Sequence, residues 1–491
     1  MMFAIIPVSL LLCIATCLFL YKVIHGKNSQ NYPPGPKPLP LIGNLHTLGL
    51  RKPYLKLMEL SKTYGSVFSV HIGSERAVVL CGYDTVKDAL VNHADEFAER
   101  PRIPIIEQTS KGYGIIFSHG ENWRVMRRFT LSTLRDLGMG KRSLEDRINE
   151  ECDYLVETLK SYKGEPFENK VIMNAAVANI IVSMLTGDRF DYQDPTLSKL
   201  ILSLNENIKR LSSPIVMMYN LFPSIMKWLP GPHNSISANR SHLYKFVMEA
   251  YRKHKDCLDV NDQKDLIDIF LVKQQEEKKS SPSYYHNDNL RELVANLFNA
   301  GMETTSTTLR WGLALMMKYP EIQKKVQNEI DKVIGSAQPQ TEHRKQMPYT
   351  DAVIHEIQRF ADLVPNNGLR ATTKDLTFRG YFIPKGTRVI PLLCSVLWDK
   401  KYFEKPREFY PEHFLDSKGS FRKNEAFLPF SAGRRSCAGE TLAKMELFLF
   451  FTRLLQNFTF YPPPGTDVNL SSTDGGISAP LQQEICAVSR M

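Results

Sequence analysis

The sequence predicts a mainly helical α+β body with a smaller β part, carried behind one N-terminal transmembrane helix. Three observations predict it. Residues 3–24, FAIIPVSLLLCIATCLFLYKVI, are nearly uncharged, and about twenty such residues in a helix cross a bilayer core. Alternating, turn-punctuated stretches stand at 66–80 and 374–397, near both ends of the remaining chain. Between about 84 and 335 the apolar residues recur with helical spacing. Strands at both ends and helices between argue one interwoven domain rather than a string of separate ones.

Composition narrows the class. The chain has 491 residues, of which 43% are hydrophobic, with a formal net charge of +10. That is ample material for a large core. A basic balance suits anionic lipid or an acidic protein partner. No dense Lys/Arg stripe with interleaved aromatics is present, so no nucleic-acid partner is expected. The 8 cysteines are scattered, without a C-x-x-C pair. This excludes a disulfide framework and a zinc ribbon, and points to a reducing compartment.

The elements follow in order. No basic residue precedes the apolar run, while Lys22, His25 and Lys27 follow it. The positive-inside rule then places the body in the cytosol, behind a single-pass anchor at 1–25. A cleaved signal peptide is the alternative, against which stand the missing basic n-region and the long apolar run. NYPPGPKPLPLIGN reads as a stiff proline-rich linker within 26–45. The domain proper is expected over 46–491. SVFSVHIGSERAVVL gives a hairpin at 66–80. Two loops are expected at 100–118 and 211–236, and a solvated connector at 276–289. TFRGYFIPKGTRVIPLL reads as one further hairpin.

Four stretches could carry chemistry. In FLPFSAGRRSCAGE, Cys437 precedes an apolar helix, whose free N–H groups favour a thiolate. Gly433 and Gly439 let backbone approach something closely, and Arg434 and Arg435 add positive charge. Such a thiolate is a nucleophile or a metal ligand. With no companion ligands nearby, it suits a metal whose other positions are filled by a macrocycle, as in haem. In the helix expected at 288–319, the run AGMETTSTT holds a glycine and four threonines, poor helix formers whose hydroxyls can bond back one turn. It reads as a local distortion that sets Glu303 and Thr304 at a gap in the ladder, suited to proton delivery; a polar face turned to water is the alternative. In VIHEIQRF, Glu356 and Arg359 share a helical face. In GENWRVMRRF, Trp123 and Arg127 do likewise, as they also would on a plain basic surface helix.

Together these residues resemble the cytochromes P-450, the haem-thiolate monooxygenases, over essentially the whole chain. Phe430-x-x-Gly433-x-Arg435-x-Cys437-x-Gly439 is similar to the family's haem-binding signature. Ala300-Gly301-x-Glu303-Thr304-Thr305 is similar to its oxygen-activation motif, and Glu356-x-x-Arg359 to its helix pair. The anchor and PPGP spacer look like the vertebrate microsomal, drug-metabolising type. The resemblance implies the cytochrome P-450 fold and haem b bound through Cys437. It implies O2 as co-substrate, Thr304 with Glu303 as proton relay, and Trp123, Arg127, Arg370, Arg435 and Arg100 on the haem propionates. Glu356 and Arg359 are joined by His413, where many relatives carry arginine. By analogy Ile116, Phe117, Phe298, Ala300, Val364 and Ile477 line a substrate pocket, and Gly368 leaves space in it.

No flavin domain or G-x-G-x-x-G motif is present, so NADPH acts indirectly, through a flavoprotein reductase. Arg124, Arg128, Lys141, Arg142 and Arg434 are the residues expected to face that partner. Cytochrome b5 is a further candidate partner. The implied function is oxidation of lipophilic small molecules (xenobiotics, fatty acids or steroids) at the endoplasmic reticulum membrane, with the catalytic domain on the cytosolic face. The rivals are a haem-thiolate isomerase or peroxygenase needing no reductase, a non-enzymatic membrane haem sensor, and a cysteine-nucleophile enzyme.

Overall fold

The structure, a computed structural model, describes residues 31–49, 51–277 and 283–490, with Thr16 besides. The expected membrane span at 3–24 and part of the connector at 276–289 lie outside the described residues. Among the described residues no helix is long and apolar enough to cross a membrane. The chain forms two compact units, each assembled from discontinuous segments: 1–101, 366–395 and 432–435 in the first, and 102–365, 396–431 and 436–491 in the second.

The first unit is built on a sheet. Val67–Ile72 and Glu75–Leu80 form the expected antiparallel hairpin, with Val67 opposite Leu80. Arg388–Pro391 adds parallel to Glu75–Leu80, and Arg370–Ala371 antiparallel to Arg388–Pro391. The second expected hairpin is therefore shorter than TFRGYFIPKGTRVIPLL: it spans Leu376–Phe378 and Tyr381–Ile383. Pro384-Lys385-Gly386 breaks it, because proline gives no ladder donor, and the VIP strand is released to the larger sheet. The proline-rich segment is docked rather than free. Ser69 donates its N–H to Pro34 O (2.7 Å) and its hydroxyl to Pro33 O (2.8 Å). Only glycine fits at 35, where a Cβ would lie 1.9 Å from Ser69 O.

The second unit is helical. Its central helix, Asn287–Lys318, is capped by His286 and stopped before Pro320. It packs along Lys170–Thr186, a helix buried nearly all round. Close approach is possible because residue 301 is glycine: a Cβ there would stand 2.6 Å from Ile181 Cδ1. The helix Glu440–Asn457 buries Phe448, Phe450 and Phe451 in the same core, and burying each such side chain contributes roughly 1.5–3 kcal/mol. The strands Phe167–Glu168, Glu484–Ser489 and Phe458–Tyr461 form a small antiparallel sheet. Both expected loops contain helices: Pro104–Ser110 in one, and Pro214–Leu221, Pro223–Met226 and the start of Pro232–Cys257 in the other. Each begins with proline, which breaks the preceding element but suits the first turn of the next.

Candidate functional site

The thiol of Cys437 sits three residues before the helix Glu440–Asn457, with its N–H donated to Phe430 O (3.0 Å). It is exposed. Burial nonetheless pushes its pKa up, against the Gly439 backbone N–H and the Arg127 charge, with Glu440 also raising it. Without a metal, desolvation thus opposes what the helix start and the arginine favour. Such a group is a poor free nucleophile, but a coordinating metal deprotonates a thiol outright. At Gly439 a Cβ would meet nothing within 4 Å, so the backbone there borders open space, as a flat macrocycle beside the thiol requires. Gly433 answers to a different need. Its φ is +74°, and a Cβ would lie 1.7 Å from the Leu90 carbonyl oxygen, so its own neighbours exclude a side chain. Trp123 is buried on Gly120–Asp136, and Arg127, one turn on, donates to Ser436 O (2.9 Å).

In the first unit Arg100, Arg370 and Arg435 are buried together. Arg435 donates to Ala98 O (2.8 Å) and lies 3.6 Å from Glu99. Arg370 donates to Gly368 O and to Arg435 O (3.3 Å), and Arg100 to Leu369 O. Three guanidiniums gathered out of water fit a group bearing carboxylates. Gly368 leaves no pocket: its Cβ position is 2.8 Å from the Arg100 guanidinium. Arg434 is exposed and paired with Asp95 (2.7 Å), while Arg124, Arg128, Lys141 and Arg142 are exposed on the second unit.

The central helix is unbroken through AGMETTSTT. The expected gap is absent because the hydroxyls supplement the ladder instead of replacing it: Thr304 Oγ1 donates to Ala300 O (2.7 Å) and Thr308 Oγ1 to Thr304 O (2.8 Å). Leu297, Ala300, Gly301 and Thr304 share one face, and on this face Ala300 is exposed while the other three are half-buried. Phe298 and Glu303 point about 100° to either side of that stripe and are buried. Glu303 Oε1 accepts from Thr307 (3.3 Å). Burial raises its pKa, against the charges of Lys170 and Arg310, which makes it a better holder of a proton than a free carboxyl.

Ile116 and Phe117 are half-buried in a loop pinned to this helix, since Asn296 Oδ1 accepts from Ile115 N (3.1 Å) and Ile116 N (2.9 Å). Val364 and Ile477 are held near one another by Ser478 N donating to Leu363 O (2.9 Å). Sequence reading missed Leu297, Asn296 and Glu292. The i, i+4 spacing of Glu292 and Asn296 in an apolar helix was the available signal.

Glu356, Arg359 and His413 do meet, all fully or nearly fully buried. Arg359 donates two bonds to the Glu356 carboxylate (2.7 and 2.6 Å) and others to Leu397 O, Pro406 O and Glu408 O. Lys405 N–H donates to His413 Nε2 (3.1 Å), which leaves the ring proton on Nδ1, and Nδ1–H donates to Glu356 Oε2 (3.1 Å). The histidine therefore fills the third place as a neutral donor.

The exposed thiol just before a helix, the open stripe on a buried helix and, in the first unit, the guanidinium cluster each suit a haem-thiolate protein. Sequence comparison agrees: a family model described as Cytochrome P450 matches residues 33–486. The chain belongs to the cytochrome P450 family and is a haem-thiolate monooxygenase, using haem b, O2 and electrons that NADPH supplies through a reductase, on a small-molecule substrate. It is 48% identical to a cytochrome P450 2K4 of Oncorhynchus mykiss, with 97% of each chain covered. It is 48% identical to a cytochrome P450 2C23 of Rattus norvegicus, again over 97% of each. With a cytochrome P450 2F2 of Mus musculus it shares 49% identity, over 92% of this chain and 93% of the relative.

Proposed function

We propose that this enzyme oxidises lipophilic small molecules (xenobiotics, fatty acids or steroids) held against the open face of the central helix. The observation that carries this is the exposed Ala300 beside half-buried Gly301 and Thr304 in a helix otherwise packed in core. The Cys437 thiolate would hold the haem iron, with Phe430, Gly433 and Gly439 shaping its turn. Trp123, Arg127, Arg370, Arg435 and Arg100 would hold the propionates. Haem so bound would supply the activation of O2. Ile116, Phe117, Leu297, Val364 and Ile477 exclude water and orient the substrate, while Phe298 supports the helix from its packed side. Thr304 holds a proton donor at the open face, and Glu303 resupplies it from behind. Glu356, Arg359 and His413 brace the loop 397–414.

The same reading places residues 1–25 across the endoplasmic reticulum membrane as a single-pass anchor, with the linker 26–45 and the domain 46–491 on the cytosolic side and cytochrome b5 as a second electron donor. Loss of sedimentation with microsomes on deleting 1–25 would support the anchor; full retention would count against it.

The test of the site is the optical spectrum of the reduced, CO-bound protein. A strongly red-shifted Soret band is expected, and its loss in Cys437→Ala. A colourless wild type would overturn the haem assignment. Turnover with peroxide but none with reductase and NADPH would favour the isomerase or peroxygenase alternative.

A further inference from the structure

The helix Pro232–Cys257 and the central helix are joined by one side-chain knot. Its centre is Glu292, which is 3% exposed. Glu292 accepts from the Arg240 guanidinium, from the Tyr244 hydroxyl, and from Asn296 Nδ2 one turn further on (2.6 Å). Arg240 Nε donates to the Tyr244 hydroxyl (2.5 Å), closing a triangle. On the other side, Asn296 Oδ1 holds the N–H groups of Ile115 and Ile116, and Asn289 Oδ1 holds that of Gly114 (2.9 Å). Gly114 presses on the knot: its φ is +78°, and a Cβ would come 2.7 Å from Glu292 Cγ. The loop that carries Ile116 and Phe117 and the helix that carries Arg240 are thus held by the same carboxylate.

That helix begins in a small core of its own. Ile105, Val216, Tyr219 and Ile236 cluster apart from the main core. Ile105 N donates to Asn220 Oδ1 (3.0 Å) and the Tyr219 hydroxyl to Gln108 Oε1 (2.5 Å). A cap with so little apolar burial opens at lower free energy than the body beneath it. Removing one member of a buried ion pair leaves the other charge uncompensated.

We propose that Glu292, with Arg240 and Tyr244, is a latch that couples this cap to the loop 114–117 and sets how fast lipophilic molecules enter and leave. Glu292 is a positioning residue: it acts through Asn296 and the cap. The proposal rests on reading the Ala300–Thr304 face as the substrate pocket.

The test uses full-length holoenzyme, with 4-phenylimidazole as the probe. Stopped-flow absorbance gives its association and dissociation rates, and hydrogen exchange by mass spectrometry reads residues 103–118. In Arg240→Met both rates should rise about tenfold, the worth of one charge-assisted bond, with Kd nearly unchanged and exchange faster in 103–118. Arg240→Lys should restore most of both. Unchanged rates and exchange would overturn the latch, as would faster exchange spread evenly over the core. If Arg240→Met does not yield holoenzyme, Tyr244→Phe carries the same comparison, with a rise of about tenfold expected for one hydroxyl bonded to a carboxylate and no change counting against. A wild type without an azole shift would sink the pocket reading, and exchange alone would then decide the latch.

Discussion

Replacing His413 by leucine removes both of its hydrogen bonds while nearly keeping its volume. The first, from Nδ1–H to the Glu356 carboxylate, is charge-assisted and worth about 1.5–3 kcal/mol. The second, from Lys405 N–H to Nε2, is neutral and adds about 0.5–1.5 kcal/mol. Lys405 is half-buried, so water recovers part of the second. The expected cost is then about 2–4 kcal/mol. Urea unfolding, followed by decay of the thiolate-type CO band, measures it. His413→Arg should lie near wild type: arginine gives Glu356 a stronger donor but cannot accept from Lys405. A leucine variant within about 0.5 kcal/mol of wild type would refute the bridging role. So would an arginine variant as weak as the leucine one.

Further outcomes follow from other packed positions. Gly301→Val should destabilise by about 1–3 kcal/mol through overpacking against Ile181, and Ile181→Ala in the same chain should recover much of it; no recovery in thermal unfolding would count against direct contact. Gly433→Ala should yield little holoprotein, because its φ of +74° and the Leu90 carbonyl leave no room for a methyl; a normal CO-band yield would show that the turn relaxes. Asp362 is buried with no hydrogen-bond partner for either oxygen among the described residues, and burial raises its pKa to about 8 against Arg407 and Arg359. Its folded-state pKa exceeds the unfolded value of about 3.9, so this group's contribution is full below about pH 4 and is lost as pH rises toward 8. Asp362→Asn should therefore gain stability over wild type at pH 8.5 relative to pH 5.5, and an equal difference at both would contradict the assignment.

Local chemistry made much of this site legible. Glycine, cysteine and arginine at fixed offsets announced the Cys437 turn; i, i+3 spacing allowed the Glu356–Arg359 pair but did not by itself single it out. What stayed hidden depends on contacts distant in sequence. Nothing in LVPNNGLR says that Gly368 is filled by the Arg100 side chain. Threonine-rich composition suggested a broken helix, but tertiary burial on both flanks overrides propensity there, and the hydroxyls find carbonyls without displacing the ladder. The sheet was misread at Pro384 because a hairpin and a parallel addition share the same alternation; only the partner strand, some three hundred residues earlier, decides between them.

The Pro33–Pro34 contacts with Ser69 have a mechanical consequence. With that segment fastened to the strand Val67–Ile72, and Asn31 O accepting from Phe382 N–H (2.9 Å), only residues 26–30 separate the fastened chain from the proposed anchor's end at 25. Such a stretch spans at most about 18 Å. On the proposed anchor the sheet unit would be leashed close to the bilayer surface, and lengthening 26–30 with a Gly-Ser insert would loosen that leash without touching the docked segment.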